Sequence, residues 1–214
     1  MELFDLVFYL FELIGTAAFA VSGALAAIER KLDIFGVTLI GATTALGGGI
    51  MRDVIIGDIP PRMFSHYEYA LIAVLFSVAV FAIARLNREK YAASAPFIEN
   101  INNVFDSIGL GIFSVAGVRV AVAAGFLSNA FLAVFLGVIT GIGGGILRDV
   151  MIQKTPFVLR KRVYAVASMA GSACYLVFLR LGIDENAALI CAVGLTFGLR
   201  MLATKFEWNL PRAL

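Results

Sequence analysis

The chain has 214 residues, of which 61% are hydrophobic and 15% are charged, and its mean hydropathy is +0.94. A soluble domain is about half apolar and a quarter charged, so this composition excludes an ordinary soluble protein and indicates a polytopic membrane protein. The net charge of +2 is too small to indicate a nucleic-acid-binding protein. Cys174 and Cys191 lie inside apolar runs, which predicts two buried thiols and no disulfide framework.

Seven apolar runs are long enough to cross a bilayer, whose hydrocarbon core needs about 20 helical residues. The acidic first residues, with Glu2 and Asp5, argue against a secretory signal, so the first run is predicted to be a permanent span. The longest polar stretch, Asn87 to Asn103, divides the chain into two halves. The predicted spans cover residues 6–28, 34–56, 68–85, 102–125, 129–152, 162–181 and 186–204.

An internal repeat organises these spans. The sequence GGGIMRDV at 47–54 returns as GGGILRDV at 143–150, and the match extends outward in both directions. Each copy contains three spans, and because three is odd the second copy must enter the membrane from the opposite face. We therefore predict one all-α transmembrane domain, residues 1–214, with inverted repeats 6–86 and 102–182 and an unmatched seventh helix, 186–204. Inverted repeats of this kind are typical of membrane transport folds.

The loop charges predict the orientation, because loops rich in Lys and Arg stay in the cytoplasm. Arg62 and Arg180 lie on the other side, with few further basic residues. The prediction is a multi-pass inner-membrane protein with its N-terminus outside and its C-terminus inside. The basic residues of the predicted cytoplasmic side are Arg30, Lys31, Arg85, Arg88, Lys90, Lys154, Arg160, Lys161, Arg162, Lys205 and Arg212.

The two glycine triplets fall past the middle of the second and fifth spans. Three successive glycines weaken a helix by about 1 kcal/mol each relative to alanine, and broken helices in membranes line protein or wet cavities. One interpretation is a kink beside a pathway, with half-helix ends facing it and a monovalent cation bound nearby. The other is close helix packing. Recurrence at matched positions favours kinks. The triplets are Gly47, Gly48 and Gly49, and Gly143, Gly144 and Gly145.

Each triplet is followed by an Arg-Asp pair, Arg52-Asp53 and Arg148-Asp149. Buried charges in membranes are usually paired, and neighbours in sequence point to different sides of a helix. Each charge is therefore expected to pair with another span. Snorkelling of the arginines to the membrane interface is the alternative.

Polar residues recur on one face of the first and fourth spans, where Glu12 corresponds to Asp106. They predict a hydrated path whose carboxylates favour cations and whose phenylalanines close it by dewetting, although Ser and Thr also bond between helices. Arg119 is expected either to snorkel to the outer surface or to act as a gate or voltage-sensing charge in the path. The candidate pore-lining residues are Thr16, Phe19, Ser22, Thr43, Thr44, Asp106, Phe113, Ser114, Arg119 and Thr140.

Enzymatic motifs do not occur in the sequence. The triplets lack the Lys-Ser/Thr of a phosphate-binding loop, there is no His-Glu-x-x-His or Cys-x-x-Cys, and His66 is the single histidine. We therefore expect no catalytic activity and no cofactor.

The duplicated Gly-Gly-Gly-x-x-Arg-Asp stretches, the three-plus-three spans and the seventh helix resemble the prokaryotic branch of the TRIC family, the trimeric intracellular cation channels. The resemblance covers about residues 8–204. It implies a homotrimer in membrane lipid, with one pore per subunit between the first, second, fourth and fifth helices. It also implies kinks at both triplets and permeation by K⁺ and Na⁺.

Two features of animal members bear on this chain. Those proteins carry Lys-Glu before the first triplet and bind a phosphoinositide there, whereas this chain has Ala45-Leu46. They also use basic residues on the fourth helix in voltage gating, and Arg119 lies on that helix here.

Some bacterial relatives carry a glycine-transporter label, so a secondary transporter for a small solute is the alternative function. A structural membrane subunit without flux is the third.

Overall fold

Seven long helices form the described part of the protein. The computed structural model describes residues 3–160 and 163–208. Within these residues the long helices are α1 (Leu3–Glu29), α2 (Ile34–Ile56), α3 (Tyr67–Leu86), α5 (Ala95–Ala123), α6 (Ala130–Met151), α8 (Val163–Arg180) and α9 (Glu185–Lys205). Short elements link them, namely a 3₁₀ turn (Arg62–Phe64), α4 (Arg88–Ala93) and α7 (Phe157–Arg160). All seven long helices are long and apolar enough to cross a membrane, which confirms the predicted all-α, seven-span fold.

Local sequence signals account for several helix ends. Asp33 caps α2 by accepting the Gly36 N–H at 2.8 Å, and Asn129 and Asp184 cap α6 and α9 in the same way. The α2 helix ends at Gly57, whose φ of 78° is left-handed and favours glycine. These caps fix the short connections that return the chain across the bundle.

The fourth span begins earlier than predicted, at Ala95 instead of residue 102. The stretch from Pro96 to Asn103 is helical, although its polar composition suggested a linker. Proline fits the first turn of a helix, where its missing N–H would have no partner. Polar side chains of this helical stretch, including Glu99 and Asn103, line a cavity of the bundle.

Helices α1, α2, α5 and α6 form the centre of the bundle, in which α1 packs on α2 and α5, and α6 packs on α2 and α5. On one side α3 covers α1 and α2, and on the other α8 covers α5 and α6. Helix α9 packs on α8 and α5. The most buried helix is α5, whose Leu110, Val115 and Val118 are fully inaccessible to solvent.

Equivalent contacts recur in the two halves. Gly23 of α1 lies directly against the α2 backbone at Gly41, and Gly117 of α5 lies directly against the α6 backbone at Gly137. A side chain at either small residue would force the paired helices apart. These contacts support the predicted repeat relationship between α1–α2–α3 and α5–α6–α8.

The basic loops lie together at one face, which we call the basic face. Lys154 Nζ lies 2.9 Å from Glu29 Oε2, and Arg30 donates to the Gln153 carbonyl at 3.4 Å, so the ends of α1 and α6 meet there. Lys161, Arg162 and Arg212 lie outside the described residues. The face opposite holds Arg62. Which face is cytoplasmic stays a prediction.

The prediction of two buried thiols is wrong for Cys191, which is exposed on α9, while Cys174 on α8 is partly buried. An apolar run does not distinguish a lipid-facing position from a buried one, because the bilayer is as apolar as the protein core. Both cysteines are free thiols in the structure.

Candidate functional site

A stacked pair of phenylalanines joins the two halves at the centre of the bundle. The rings of Phe19 and Phe113 have centroids 5.3 Å apart and planes 24° apart. Each ring lies against a glycine of the other half, Phe19 on Gly109 of α5 and Phe113 on Gly15 of α1. Both rings are buried. The pair therefore forms an apolar plug between α1 and α5.

The glycine triplets bring α2 and α6 into backbone contact. Gly48 lies directly on the Thr140 carbonyl, and Gly144 lies directly on the Thr44 carbonyl. Both helices continue without interruption through their triplets, so the separate half-helices expected from the sequence are not formed. Close packing is realised at these two glycines, while a bend within a continuous helix stays a prediction.

A polar cavity opens between α1, α2 and α3 on the face opposite the basic face, and we call it the outer cavity. Its volume is about 160 Å³. The Glu12 carboxylate accepts the Tyr69 hydroxyl at 2.9 Å, and the Thr16 hydroxyl donates to the Glu12 carbonyl at 2.8 Å. The polar lining residues are Glu12, Thr16, Arg52, Asp53, Arg62, His66 and Tyr69, and Phe113 forms part of its wall. The cavity thus extends from the loop after α2 to the phenylalanine pair.

A larger cavity, the inner cavity, opens on the basic face and has a volume of about 490 Å³. It lies between the ends of α1 and α6 and the start of α5. Its polar lining residues are Glu29, Tyr91, Glu99, Asn102, Asn103, Arg148, Asp149, Lys154 and Thr155. Each cavity therefore reaches one of the two Arg-Asp pairs, the outer cavity in the first repeat and the inner cavity in the second.

Each Arg-Asp pair bonds within itself, whereas each charge was expected to pair with another span, a pairing that Arg148 also makes at Asp106. Arg52 Nε lies 2.8 Å from Asp53 Oδ1, and Arg148 Nε lies 2.8 Å from Asp149 Oδ1. The arginine side chains are long enough to fold back onto the adjacent carboxylate. The second carboxylate oxygen accepts a backbone N–H of the following loop, from Arg62 at 3.0 Å in one repeat and from Phe157 at 2.7 Å in the other.

The second arginine carries an additional network, which we call the arginine lock. Arg148 Nη1 donates to Asp106 Oδ1 at 3.0 Å and to Ser22 Oγ at 2.8 Å. Ser22 in turn donates to Asp106 at 3.2 Å. All three side chains are buried. The lock ties α1, α5 and α6 together at the end of the inner cavity.

The two repeats differ at this point. Glu12, the counterpart of Asp106, bonds to Tyr69 of α3, and Arg52 has its ion pair with Asp53. The outer arginine therefore faces a cavity without the crosslink that holds its inner counterpart. Of the two arginines, Arg148 is the one whose charge pairing crosslinks different long helices.

Three of the remaining hydroxyl candidates, Thr44, Thr140 and Ser114, form hydrogen bonds within the bundle. Thr44 donates to the Ile40 carbonyl at 2.7 Å, and Thr140 donates to the carbonyl four residues before it. Ser114 lies 2.6 Å from Ser168 of α8, on the side of α5 that packs on the second repeat. Thr43 is partly buried. Of the hydroxyl candidates, Thr16 lines the outer cavity, and Ser22 belongs to the lock.

Arg119 lies at the far end of α5, towards the face opposite the basic face. Its Nη2 atom is 2.7 Å from Asp5 Oδ1, and its guanidinium lies over the Phe8 ring at 4.1 Å. The side chain is 29% exposed. This geometry is that of an arginine reaching towards the membrane surface, and it agrees with the snorkelling interpretation.

Sequence reasoning missed Tyr69, Tyr164 and Arg200. Arg200 is a charged residue inside the apolar seventh span, little more than one turn before its end, a signal that could have identified it. Within residues 3–160 and 163–208, no cluster of three or more His, Cys, Asp or Glu side chains could hold a metal ion. The cavities instead present single carboxylates, hydroxyls and arginines.

Similar proteins share this architecture. A family model described as glycine transporter matches residues 9–85 and 103–180. A UPF0126 membrane protein of Vibrio cholerae is 35% identical over 203 residues, which are 95% of this chain and 81% of that protein. The UPF0126 inner membrane protein YadS of Escherichia coli K12 is 31% identical over 204 residues, 95% of this chain and 94% of that protein.

Solved structures of TRIC channels have the same fold. One, described as the structural basis for conductance through TRIC cation channels, has a TM-score of 0.84 at 36% identity and covers 97% of this chain and 98% of its own. A prokaryotic TRIC channel in 0.5 M KCl has a TM-score of 0.86 at 31% identity and covers 96% and 100%. This chain therefore belongs to the bacterial UPF0126 membrane protein family, the prokaryotic branch of the TRIC channels.

Proposed function

We propose that this protein is a monovalent cation channel, permeable to K⁺ and Na⁺, in which each subunit of a homotrimer contains its own pore. The observation that carries the proposal is the pair of polar cavities that open at opposite faces, the outer one reaching Phe113 of the phenylalanine pair and the inner one reaching Arg148 of the arginine lock. The relatives described as trimeric cation channels support it. The pore would lie between α1, α2, α5 and α6.

The path would have an hourglass shape. Glu12 and Thr16 would replace part of the hydration shell of a cation in the outer cavity, beside Gly49 of the first triplet. Phe19 and Phe113 would form a constriction that excludes water. The arginine lock would close the inner passage, and opening would require Arg148 to leave Asp106. On this proposal, the conformation described above would be the closed state of the channel.

The proposed setting is the bacterial inner membrane, with the basic face in the cytoplasm and lipids around the trimer. The permeant ions would be K⁺ and Na⁺, with no bound cofactor. The proposal includes no catalytic step, in keeping with relatives that are membrane or channel proteins.

A secondary transporter for a small solute such as glycine is the second candidate. It is favoured by the description of the matching family model and by the inverted-repeat architecture, which transporters also use. A transporter would move solute slowly and saturably with a fixed coupling ion. A channel would pass many ions during each opening.

A planar-bilayer recording separates the two functions. With purified protein in a KCl gradient, we expect discrete current steps that reverse near the K⁺ equilibrium potential. No current at any voltage, together with saturable glycine uptake into liposomes, would establish the transporter instead. Absence of both activities would favour a structural membrane subunit.

The phenylalanine constriction predicts a second electrical result. Phe113→Ala removes one ring of the stack, so water and ions would enter the plug more easily, and we expect a several-fold increase in open probability or leak current. Phe135→Ala is the matched control, because Phe135 stacks on Phe131 with centroids 6.2 Å apart on the exposed side of α6. Equal currents in both variants would argue against a constriction at Phe113.

A further inference from the structure

Arg200 of α9 is a buried cation with unused hydrogen-bond donors. Its side chain is 1% exposed, and its Nε and Nη2 atoms have no hydrogen-bond partner among the described residues. The guanidinium lies 4.7 Å from the Tyr164 ring centroid and 5.2 Å from that of Phe157. Aromatic faces compensate part of the cost of burying the charge. They leave the N–H groups of Nε and Nη2 unbonded, and an unbonded buried donor is costly.

A cavity of about 360 Å³ adjoins Arg200 at the basic face. It lies between the start of α5, the start of α8 and the end of α9. The hydroxyl of Thr204, one helical turn after Arg200, also lines it and is buried without a partner among the described residues. Two residues that line this cavity therefore each carry buried polar atoms without a partner among the described residues. This pattern is that of a binding site for a ligand rich in acceptor oxygens.

The mouth of the cavity carries the opposite charge. Glu99, exposed at the start of α5, and Glu207, exposed after the end of α9, line it together with Asn100 and Asn103. A simple anion at Arg200 would be repelled by these carboxylates. A ligand with an anionic centre and a cationic group a few ångströms away would satisfy both charges.

The depth of the site matches the membrane interface. Arg200 lies about 7.5 Å along the helix axis from the end of α9 at Lys205, given a rise of 1.5 Å per residue. Trp208, which lines the cavity and is 48% exposed, is the residue type enriched at the headgroup level. Lipid headgroups therefore lie at the same depth as the cavity.

We propose that this cavity binds a phosphoethanolamine group. The phosphate oxygens accept hydrogen bonds from Arg200, whose planar guanidinium suits bidentate phosphate recognition, and from the Thr204 hydroxyl. The ammonium group lies towards Glu99. The source is either phosphatidylethanolamine of the surrounding membrane or a soluble phosphoethanolamine ester. The site adjoins the inner cavity, with which it shares Glu99 and Asn103, but it does not depend on the proposed channel function.

Binding can be measured without any flux assay. Purified wild-type protein, titrated with phosphatidylethanolamine, phosphatidylcholine or phosphatidylglycerol, is followed by native mass spectrometry and by thermal unfolding. We expect phosphatidylethanolamine to be retained most strongly, because phosphatidylcholine cannot donate to Glu99 and phosphatidylglycerol has no cation. Arg200→Gln is expected to weaken this retention by roughly tenfold or more, the value of a lost charge-assisted bond. The matched control is Arg180→Gln, on α8, whose guanidinium bonds to the Leu127 carbonyl in an exposed loop.

Two milder variants keep the test decisive if Arg200→Gln does not fold. Thr204→Val is expected to weaken phosphatidylethanolamine retention several-fold, and Glu99→Gln to abolish the preference over phosphatidylglycerol. Soluble phosphoethanolamine added in detergent separates the two sources, because thermal protection by the soluble ester without any lipid preference would assign a free ligand. The absence of headgroup preference and of protection in the wild type would overturn the proposal. So would unchanged binding in all three variants.

Discussion

Gly48→Ala and Gly144→Ala are each expected to destabilise the protein by about 1–3 kcal/mol, the usual cost of overpacking a close contact. The new methyl group at position 48 would overlap the Thr140 carbonyl, and the one at 144 would overlap the Thr44 carbonyl. Both obstacles are backbone atoms, which cannot rotate away as a side chain can. Helices α2 and α6 must therefore separate. The thermal unfolding temperature in detergent, measured by fluorescence, would fall in both variants.

Gly49→Ala provides the matched control within the same triplet. Its methyl group would lie 3.6 Å from Arg52 Nη2, an ordinary contact with the end of a flexible side chain. Because alanine favours a helix over glycine by about 1 kcal/mol, this variant should be neutral or slightly stabilised. Equal unfolding temperatures for Gly48→Ala and Gly49→Ala would show that α2 and α6 are not in backbone contact at the triplets.

The glycine triplets show which features of the fold can be predicted from the sequence and which cannot. The repeat at 47–54 and 143–150 and the hydropathy of the spans were sufficient to predict seven helices and the duplicated arrangement, because both depend on local composition. The same glycines are compatible with a kink or with a close contact, and their recurrence at matched positions favoured kinks. The choice depends on which backbone approaches them, and Thr140 and Thr44 are 92 and 100 residues distant in sequence from Gly48 and Gly144.

The charged residues show a similar limit. Helix geometry places Arg148 and Asp149 on different sides, yet the arginine side chain is long enough to bond its neighbour and still reach Asp106. Backbone directions alone do not predict where a flexible side chain ends. The bond of Asp149 to the Phe157 N–H depends on the loop after α6, whose conformation has no strong sequence signature.

The first residue of a helix and the burial of a side chain were less predictable than the existence of the membrane spans. The polar residues around Pro96 indicate a linker, but proline is equally suited to the first turn of α5. Polar residues at a membrane interface serve a helix end as well as a loop. The burial of Arg200 could not be predicted either, because it results from the packing of α9 on α8 and α5.

Asp106→Asn is expected to have the second large effect, a loss of about 3 kcal/mol in stability. Removing one partner of a buried ion pair typically costs 3–5 kcal/mol, and the low end applies because Arg148 keeps its bond to Asp149. Residues in contact show coupling energies of about 0.5–3 kcal/mol in double-mutant cycles. In a cycle that combines Asp106→Asn with Arg148→Gln, we expect a coupling energy in the upper half of that range. Thermal and denaturant unfolding of the four proteins measures it.

The inverted repeat supplies the control, because Glu12 and Arg52 are the counterparts of Asp106 and Arg148. Glu12 bonds to Tyr69 and Arg52 to Asp53, so the Glu12→Gln, Arg52→Gln cycle should show a coupling of no more than about 0.5 kcal/mol. If the lock closes the inner passage, Asp106→Asn should also raise the open probability in bilayers, whereas Glu12→Gln should not. Equal coupling energies in the two cycles would contradict the claim that only the second repeat contains the arginine lock. A large Asp106 coupling with unchanged currents would leave it as a structural crosslink and place the gate at the phenylalanine pair.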